Sequence, residues 1–385
     1  MSCYSLIISL MASLTLSIAC RDQSQTQIHD TAAQEDFTWN LPSHIPLPII
    51  DPENPMSEAK FQLGRHLFYD ERLSGNASMS CSSCHQQEKA FSDGRVLAIG
   101  STGQTHPRNS QSLSNVAYNA TLTWANSVLI TVEKQVFVPL FSETPIEHGL
   151  TRENWPDVVL KLKLEARYTD LFKMAYPEDS DHFTEAQITK ALAVFVRGLT
   201  SFDSPYDRHL AGDNKGYSES AAAGEKLFFS EKMECFHCHG GYNFSDSTAD
   251  RTTSFINRPF HNTGLYNIDN TGRYPEGNRG IFELTSRESD MGRFRAPSLR
   301  NVAKTAPYMH DGSVAELSNV LDFYSAGGRN ITSGPHQGDG RKNPFKDGFV
   351  TGFTLSEQEK RDVISFLESL TDEKFLTNPR FANPW

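Results

Sequence analysis

The chain has 385 residues, 38% of them hydrophobic and 22% charged, a composition that leaves room for two domains with a core each and excludes a disordered chain or a polytopic membrane protein. A formal net charge of -11 argues against nucleic acid as a partner and favours a neutral or basic protein surface. Of the six cysteines, four fall in two short motifs and two near the N-terminus, so no structural disulfide is proposed.

Residues 1–20 are apolar, end in small residues and read as a signal segment. Ser17-Ile18-Ala19-Cys20 resembles a lipoprotein processing box, so the segment is expected either to be cleaved plainly or to leave Cys20 lipidated. Either route gives a periplasmic location, with membrane contact only through that anchor. Residues 21–40 are polar and read as a flexible tether. Five prolines between 41 and 55 then impose an extended lead-in. A helix is predicted over 57–69, with Phe61, Leu63, Leu67 and Phe68 on its apolar side.

The helix leads to Cys81-Ser82-Ser83-Cys84-His85, and the arrangement returns as Cys235-Phe236-His237-Cys238-His239. Two thiols three positions apart can form thioether bonds to one haem, and the adjoining imidazole can reach its iron, so both read as c-type haem attachment sites with His85 and His239 as iron ligands. A zinc site built from two Cys pairs leaves both trailing histidines unexplained. A pair of redox CxxC motifs calls for a βαβ pattern that the chain lacks.

Gly64-Arg65-His66-Leu67-Phe68-Tyr69-Asp70 parallels Gly224-Glu225-Lys226-Leu227-Phe228-Phe229-Ser230, each ahead of a CxxCH. The repeat implies two cytochrome c-like domains, over 41–205 and 219–385, in a mainly α fold with long loops and a few short strands. His85 and His239 lie 154 positions apart, more than a simple cytochrome needs, and the excess is expected to build a pocket. Within it, 184–201 is predicted helical, with Thr184 and Gln187 in capping-box positions. Residues 206–218 read as a linker, 258–293 as a long loop with short strands, and 314–324 and 356–370 as helices.

Arg108-Asn109-Ser110-x-Ser112-Leu113 between the motifs, and Pro297-Ser298-Leu299-Arg300-Asn301-Val302 through Pro307-Tyr308-Met309-His310-Asp311-Gly312 after them, resemble the bacterial di-haem cytochrome c peroxidase and MauG superfamily over about 57–370. That resemblance implies a haem-dependent peroxidase with two covalent haem c groups. It also places a sixth iron ligand of the second haem at Tyr324, a hard anionic donor that favours ferric and higher states, where di-haem peroxidases carry a Met. Met309 is the rival ligand, and a packed helix-end Tyr the bland alternative. Where typical members carry a removable His, this chain has Ile99-Gly100-Ser101, so the first iron is expected to stay open, with His106 the available substitute.

The same resemblance assigns Gln135, Pro139 and Glu147 to the pocket over the first haem. Glu147 is the expected acid and base for peroxide, with Glu133 and Glu143 as alternatives, and His148 follows it where Met or Leu is usual. It places Trp124 between the haems as a relay, although a core Trp would look the same, and a Ca2+ ion at Asn109, Thr305 and Pro307. Thr121 to Asn126 and Pro139-Leu140-Phe141 look most like the MbnH-like branch of MauG-type enzymes. The function so implied is use of hydrogen peroxide to form a high-valent di-haem state that oxidises an aromatic residue, Trp first, of a periplasmic protein substrate. The alternatives are a peroxidase fed by a small cytochrome or copper protein as redox partner, and a di-haem electron carrier.

Overall fold

Ser57 ends the extended lead-in: its side chain accepts from the Lys60 N–H and so caps α1 (Glu58–Phe68), whose inner face buries Phe61, Leu63, Leu67 and Phe68. The computed structural model describes residues 37–385; the signal segment, Cys20 and residues 21–36 of the tether lie outside the described residues. Then come α2 (Val132–Phe141), α3 (Trp155–Lys163), α4 (Ala166–Ala175) and α5 (Glu185–Arg197), the last opened by the Thr184–Gln187 capping box. Beyond it lie α6 (Pro205–Leu210), α7 (Glu219–Phe228), α8 (Phe236–His239), α9 (Phe282–Thr285) and α10 (Leu317–Ser325). The chain continues through α11 (Glu357–Glu368), capped by Ser356 and Glu359, and α12 (Glu373–Thr377).

The sheet among the described residues is the antiparallel pair β1 (Asn330–Ile331) and β2 (Gly338–Asp339), with Asn330 opposite Asp339. The fold is mainly helical, as expected. No helix of the described residues is long and apolar enough to cross a membrane.

Two departures from the sequence reading have local causes. The linker predicted from 206 begins inside α6, where Pro205 sits at the first helical position and Ser204 with Asp207 forms a capping box. Six residues are too few to show a helical period. The 258–293 stretch holds α9 and single bridges such as His261 to Phe294 instead of strands. Asparagine side chains do the bonding there: Asn262 Nδ2 donates to the Met291 carbonyl at 2.8 Å and Asn267 Nδ2 to that of Asp339 at 2.8 Å.

The internal repeat has a packing origin. α1 crosses α5 and α7 crosses α11, each crossing with the repeat's glycine at the contact. A Cβ on Gly64 would lie 2.0 Å from the Ala191 carbonyl oxygen, and one on Gly224 would lie 1.9 Å from that of Asp362. Around the first crossing Phe61, Phe68 and Phe195 form one core; around the second Phe228, Phe244 and Phe366 form another. Phe375, Leu376 and Phe381 belong to the first core, with Phe381 6.4 Å from Phe61 between ring centroids, so the segment from α12 onward leaves the second core for the first. Sequence placed it in the 219–385 domain because an apolar side chain carries no label for which core it joins.

Arg300 and Asn301 of the second motif stretch join the halves. The buried Arg300 guanidinium lies 2.7 and 2.6 Å from the two carboxylate oxygens of Asp207 and donates to the Tyr242 carbonyl. Asn301 Nδ2 donates to Ser114 and Ser201, while its Oδ1 accepts from the Asp372 N–H at 2.8 Å.

Because the opposing atoms at both crossings are backbone, Gly64→Ala and Gly224→Ala should each cost about 1–3 kcal/mol despite the better helix propensity of Ala. Gly348→Ala, where an added Cβ meets nothing within 4 Å, should stay within about 0.5 kcal/mol. Thermal unfolding of the holoprotein measures all three, and equal midpoints would contradict the crossing argument.

Candidate active site

Each CxxCH motif forms one tight turn. The His85 N–H donates to the Cys81 carbonyl at 3.0 Å and the His239 N–H to that of Cys235 at 2.9 Å, which gathers both thiols and the imidazole around a single turn of chain. None of the four cysteines is in a disulfide. His85 Nδ1 donates to the Phe91 carbonyl at 2.7 Å and His239 Nδ1 to the Phe244 carbonyl at 3.1 Å, since a carbonyl can only accept. Both rings are thereby oriented with the proton on Nδ1 and the lone pair on Nε2, and burial lowers both pKa values toward the neutral form that binds a metal. His237 pairs instead with Glu234 and stacks on Phe349 at 3.8 Å, outside that arrangement.

Near the first motif, Gln135 and Pro139 lie four positions apart on α2 and so share a face. The chain then returns over the helix, with the His148 N–H bonded to the Pro139 carbonyl at 2.9 Å and the Leu150 N–H to that of Leu140 at 3.0 Å. Glu147 stands on this return. Its charge reaches the Cys81 and Cys84 sulphurs, and burial raises its pKa to about 7. Gln135 Oε1 is buried with no hydrogen-bond partner.

The two alternative carboxylates are otherwise engaged. Glu133 binds Arg197 at 2.9 Å and Asn54 at 2.7 Å, and Glu143 is exposed. His148 is buried and donates through Nδ1 to the Leu73 carbonyl at 2.8 Å, which makes it a support for this return.

The turn containing Ser101 is clamped on the same return. Ser101 N–H donates to the Glu147 carbonyl at 2.8 Å, Gln104 Oε1 accepts from the Ile146 N–H at 2.7 Å, and a Cβ on Gly100 would lie 1.9 Å from the Ile146 oxygen. The imidazole this turn delivers is that of His106, whose Nε2 lies 3.7 Å from Glu147 Oε1.

The second motif opens on a cavity of about 240 Å³ lined by Cys235, Cys238, His239, Trp124, Arg295 and Tyr324 among others. Leu317, Val320, Leu321 and Tyr324 line it from one face of α10 at helical spacing, and Met309 lines it from the preceding turn, so the cavity admits both candidate ligands. Burial raises the Tyr324 pKa, and the Cys238 and Cys235 thiols add to that rise, which puts its phenol near the motif. Phe228 and not Leu227 faces the cavity from α7.

Sequence reasoning gave His310 and Arg295 no role. His310 stacks on Phe294 at 3.7 Å, its Nε2 is buried without a partner, and burial drives its pKa to about 3. The His310-Asp311-Gly312 motif was its available signal. Arg295 is 4% exposed and donates to the Thr123 carbonyl and to Gln111 Oε1, with no carboxylate at ion-pair distance among the described residues. Nothing in the sequence around it says that it is buried.

Residues 109–112 form a wall shared by the two motifs. Ser110 lies beside the Cys84 thiol and the Gln111 backbone bears on the His85 ring, while 109–112 also line the second cavity. Trp124 lies against this wall, its Nε1–H donating to the Asn109 carbonyl at 3.1 Å and its ring 6.4 Å from that of His310. Asn109 Nδ2 donates to the Pro307 carbonyl at 3.0 Å, and its buried Oδ1 has no donor.

These residues fit a haem. The pre-oriented histidines offer Nε2 to an iron, the cavity is mainly apolar, and the buried Arg295 without a carboxylate suits the propionate of a haem. Burial lowers the Arg295 pKa to about 10, the expected mark of a cation short of its anion.

The comparisons with known proteins agree. Residues 58–215 match the family model for di-haem cytochrome c peroxidase. The chain is 32% identical to the cytochrome-c peroxidase IdrP1 of Pseudomonas sp. (strain SCT), over 86% of its own length and 87% of that protein's. It is also 32% identical to the methylamine utilization protein MauG of Methylophilus methylotrophus, over 86% and 87% of the two lengths. Among solved structures, it superposes with TM-score 0.89 and 51% identity on a MauG-like protein associated with microbial copper homeostasis, covering 91% of this chain and 99% of that one. The chain belongs to the di-haem cytochrome c peroxidase and MauG family of haem-dependent oxidoreductases.

Since burial alone raises Glu147, its carboxyl should lose its proton with a midpoint near pH about 7 in the holoprotein. Infrared titration follows the carboxylic-acid band, which should be absent from Glu147→Gln; a midpoint in the ordinary range near 4.5 would contradict the half-buried placement.

Proposed function

We propose that the chain is a periplasmic MauG-type oxidoreductase with two haem c groups held through Cys81, Cys84 and His85 and through Cys235, Cys238 and His239. It uses hydrogen peroxide at the first and withdraws the oxidising equivalents from an aromatic residue, Trp first among candidates, of a partner protein. The observation that carries this reading is Tyr324, turned by α10 into the cavity that also contains His239. A phenolate ligand favours oxidised iron, which suits a group that holds oxidising equivalents better than one that admits low-energy electrons. The 51% identity to a MauG-like protein supports the same branch, and that neighbour's association with copper homeostasis directs the search for the partner to copper-handling proteins.

Bound haem would supply the iron redox chemistry of peroxide cleavage. The protein supplies the proton handling and the orientation. Glu147, with a pKa near the working pH, can take a proton from one peroxide oxygen and return it to the other. Gln135 Oε1, buried and unpaired, can accept a hydrogen bond from peroxide, and Pro139 on the same face of α2 narrows the approach. Trp124, fixed by Asn109 at the shared wall, would relay a hole. The unpartnered Asn109 Oδ1, with oxygens of Thr305 and Pro307, offers the hard donors that Ca2+ prefers. The apolar segment before Cys20 is the basis for the periplasmic location and for an N-terminal lipid anchor.

The second reading, a peroxidase fed by a small cytochrome or copper protein, is favoured by the relatives named cytochrome-c peroxidase. Mass spectrometry of a candidate partner after incubation with the holoprotein and peroxide separates the two. Oxygen added to an aromatic side chain, lost with Glu147→Gln, is the expected result; an unmodified partner together with fast peroxide-dependent oxidation of a small cytochrome would favour the second reading.

A further inference from the structure

Full reduction of one peroxide breaks the O–O bond and forms two molecules of water. Two electrons come from the reducing substrate, whether aromatic side chain or small donor, and two protons must come from outside. Glu147 can shuttle a proton within the pocket, but its own supply needs a route. His106 stands beside Glu147.

Its Nε2 lies 3.7 Å from Glu147 Oε1, and its ring is about as open to solvent as the carboxylate, at 29% and 30%. Nδ1 faces both polar groups of one residue: the Arg108 N–H and the Arg108 carbonyl oxygen, each at 3.2 Å. With the N–H donating, Nε2 carries the proton toward Glu147. With the carbonyl accepting, Nδ1 carries it and Nε2 is free to take one. The backbone thus supports both tautomers without moving the ring, which is what a proton carrier requires.

We propose that His106 is the proton-supply residue of this pocket, a positioning residue that acts on peroxide only through Glu147 and does not bind iron. The inference rests on the distal role given to Glu147 above. Rigid placement supports it, because the His106 N–H donates to the Ala98 carbonyl at 2.8 Å and the turn from 99 to 105 is clamped on the Glu147 segment. The charged groups facing the imidazole are Glu147 and Arg108, the latter paired with Glu283 at 2.9 Å. Burial lowers the His106 pKa, against the hydrogen bond to the Arg108 backbone that raises it and with the Arg108 charge that lowers it further, while burial raises that of Glu147.

The test uses holoprotein, hydrogen peroxide and hexacyanoferrate(II), an electron donor that brings no proton. His106→Gln should leave the ferric absorption spectrum unchanged yet slow steady-state turnover about tenfold near pH 8, with the loss shrinking as added acid replaces the relay. The infrared midpoint of Glu147, read without turnover, should also move in His106→Gln, because the imidazole lies 3.7 Å from the carboxylate and its removal changes what the carboxyl faces. A changed ferric spectrum would make His106 an iron ligand and overturn the proposal, as would unchanged turnover at every pH with an unmoved Glu147 midpoint. Glu147→Gln keeps the two levels apart. Full turnover in that variant would sink the distal-pocket reading itself, whereas loss of turnover there beside an unaffected His106→Gln would sink the relay alone.

Discussion

The site depends on a four-residue wall. Asn109 to Ser112 bears on Cys84 and His85 through Ser110 and Gln111, and the same residues line the cavity of the second motif. Asn109 pins that wall at one point, taking the Trp124 indole on its carbonyl, reaching the Pro307 carbonyl with its amide, and donating its N–H to the His310 carbonyl at 3.0 Å. Moving any of these partners would change how the two motifs face each other. The repeat that builds the cores sets only the scaffold: Gly64 and Gly224 let helix pairs cross closely and say nothing about what lies between the motifs.

Much of this was legible in the sequence because the signals were local. A capping residue and its partner lie three positions apart, so Thr184 with Gln187 marked the start of α5. The CxxCH spacing fixed thiols and imidazole on one turn before any fold was known. Features that required distant segments to meet were not legible. His106 and Glu147 are 41 positions apart, and only the clamp of the 99–105 turn on 146–149 brings them together. Arg295 reads as an ordinary surface cation until its burial is seen. α2 was obscured by Pro139, which reads as a break yet stands inside the helix, two residues before its last residue Phe141.

The two sites differ in what surrounds them. The first has a carboxyl raised to about 7, a buried amide oxygen without a partner, and a neighbouring turn in which Ser101 stands where an imidazole ligand would be expected. The second has an apolar cavity, a buried arginine and a phenol on α10. Peroxide chemistry needs proton transfer, and the first site has a carboxyl suited to it. In the proposed function the second site holds oxidising equivalents, for which its mainly apolar cavity offers the phenol of Tyr324 as a hard donor. The charge of -11 is compatible with a partner that presents a basic or neutral face.

This division of labour is the central claim, and the resting spin states test it most directly. Electron paramagnetic resonance of the ferric holoprotein should show one high-spin haem, from an open first site, and one low-spin haem that becomes five-coordinate or changes ligand in Tyr324→Phe. Two low-spin haems in the unaltered protein, or a second haem indifferent to loss of the Tyr324 hydroxyl, would contradict the account.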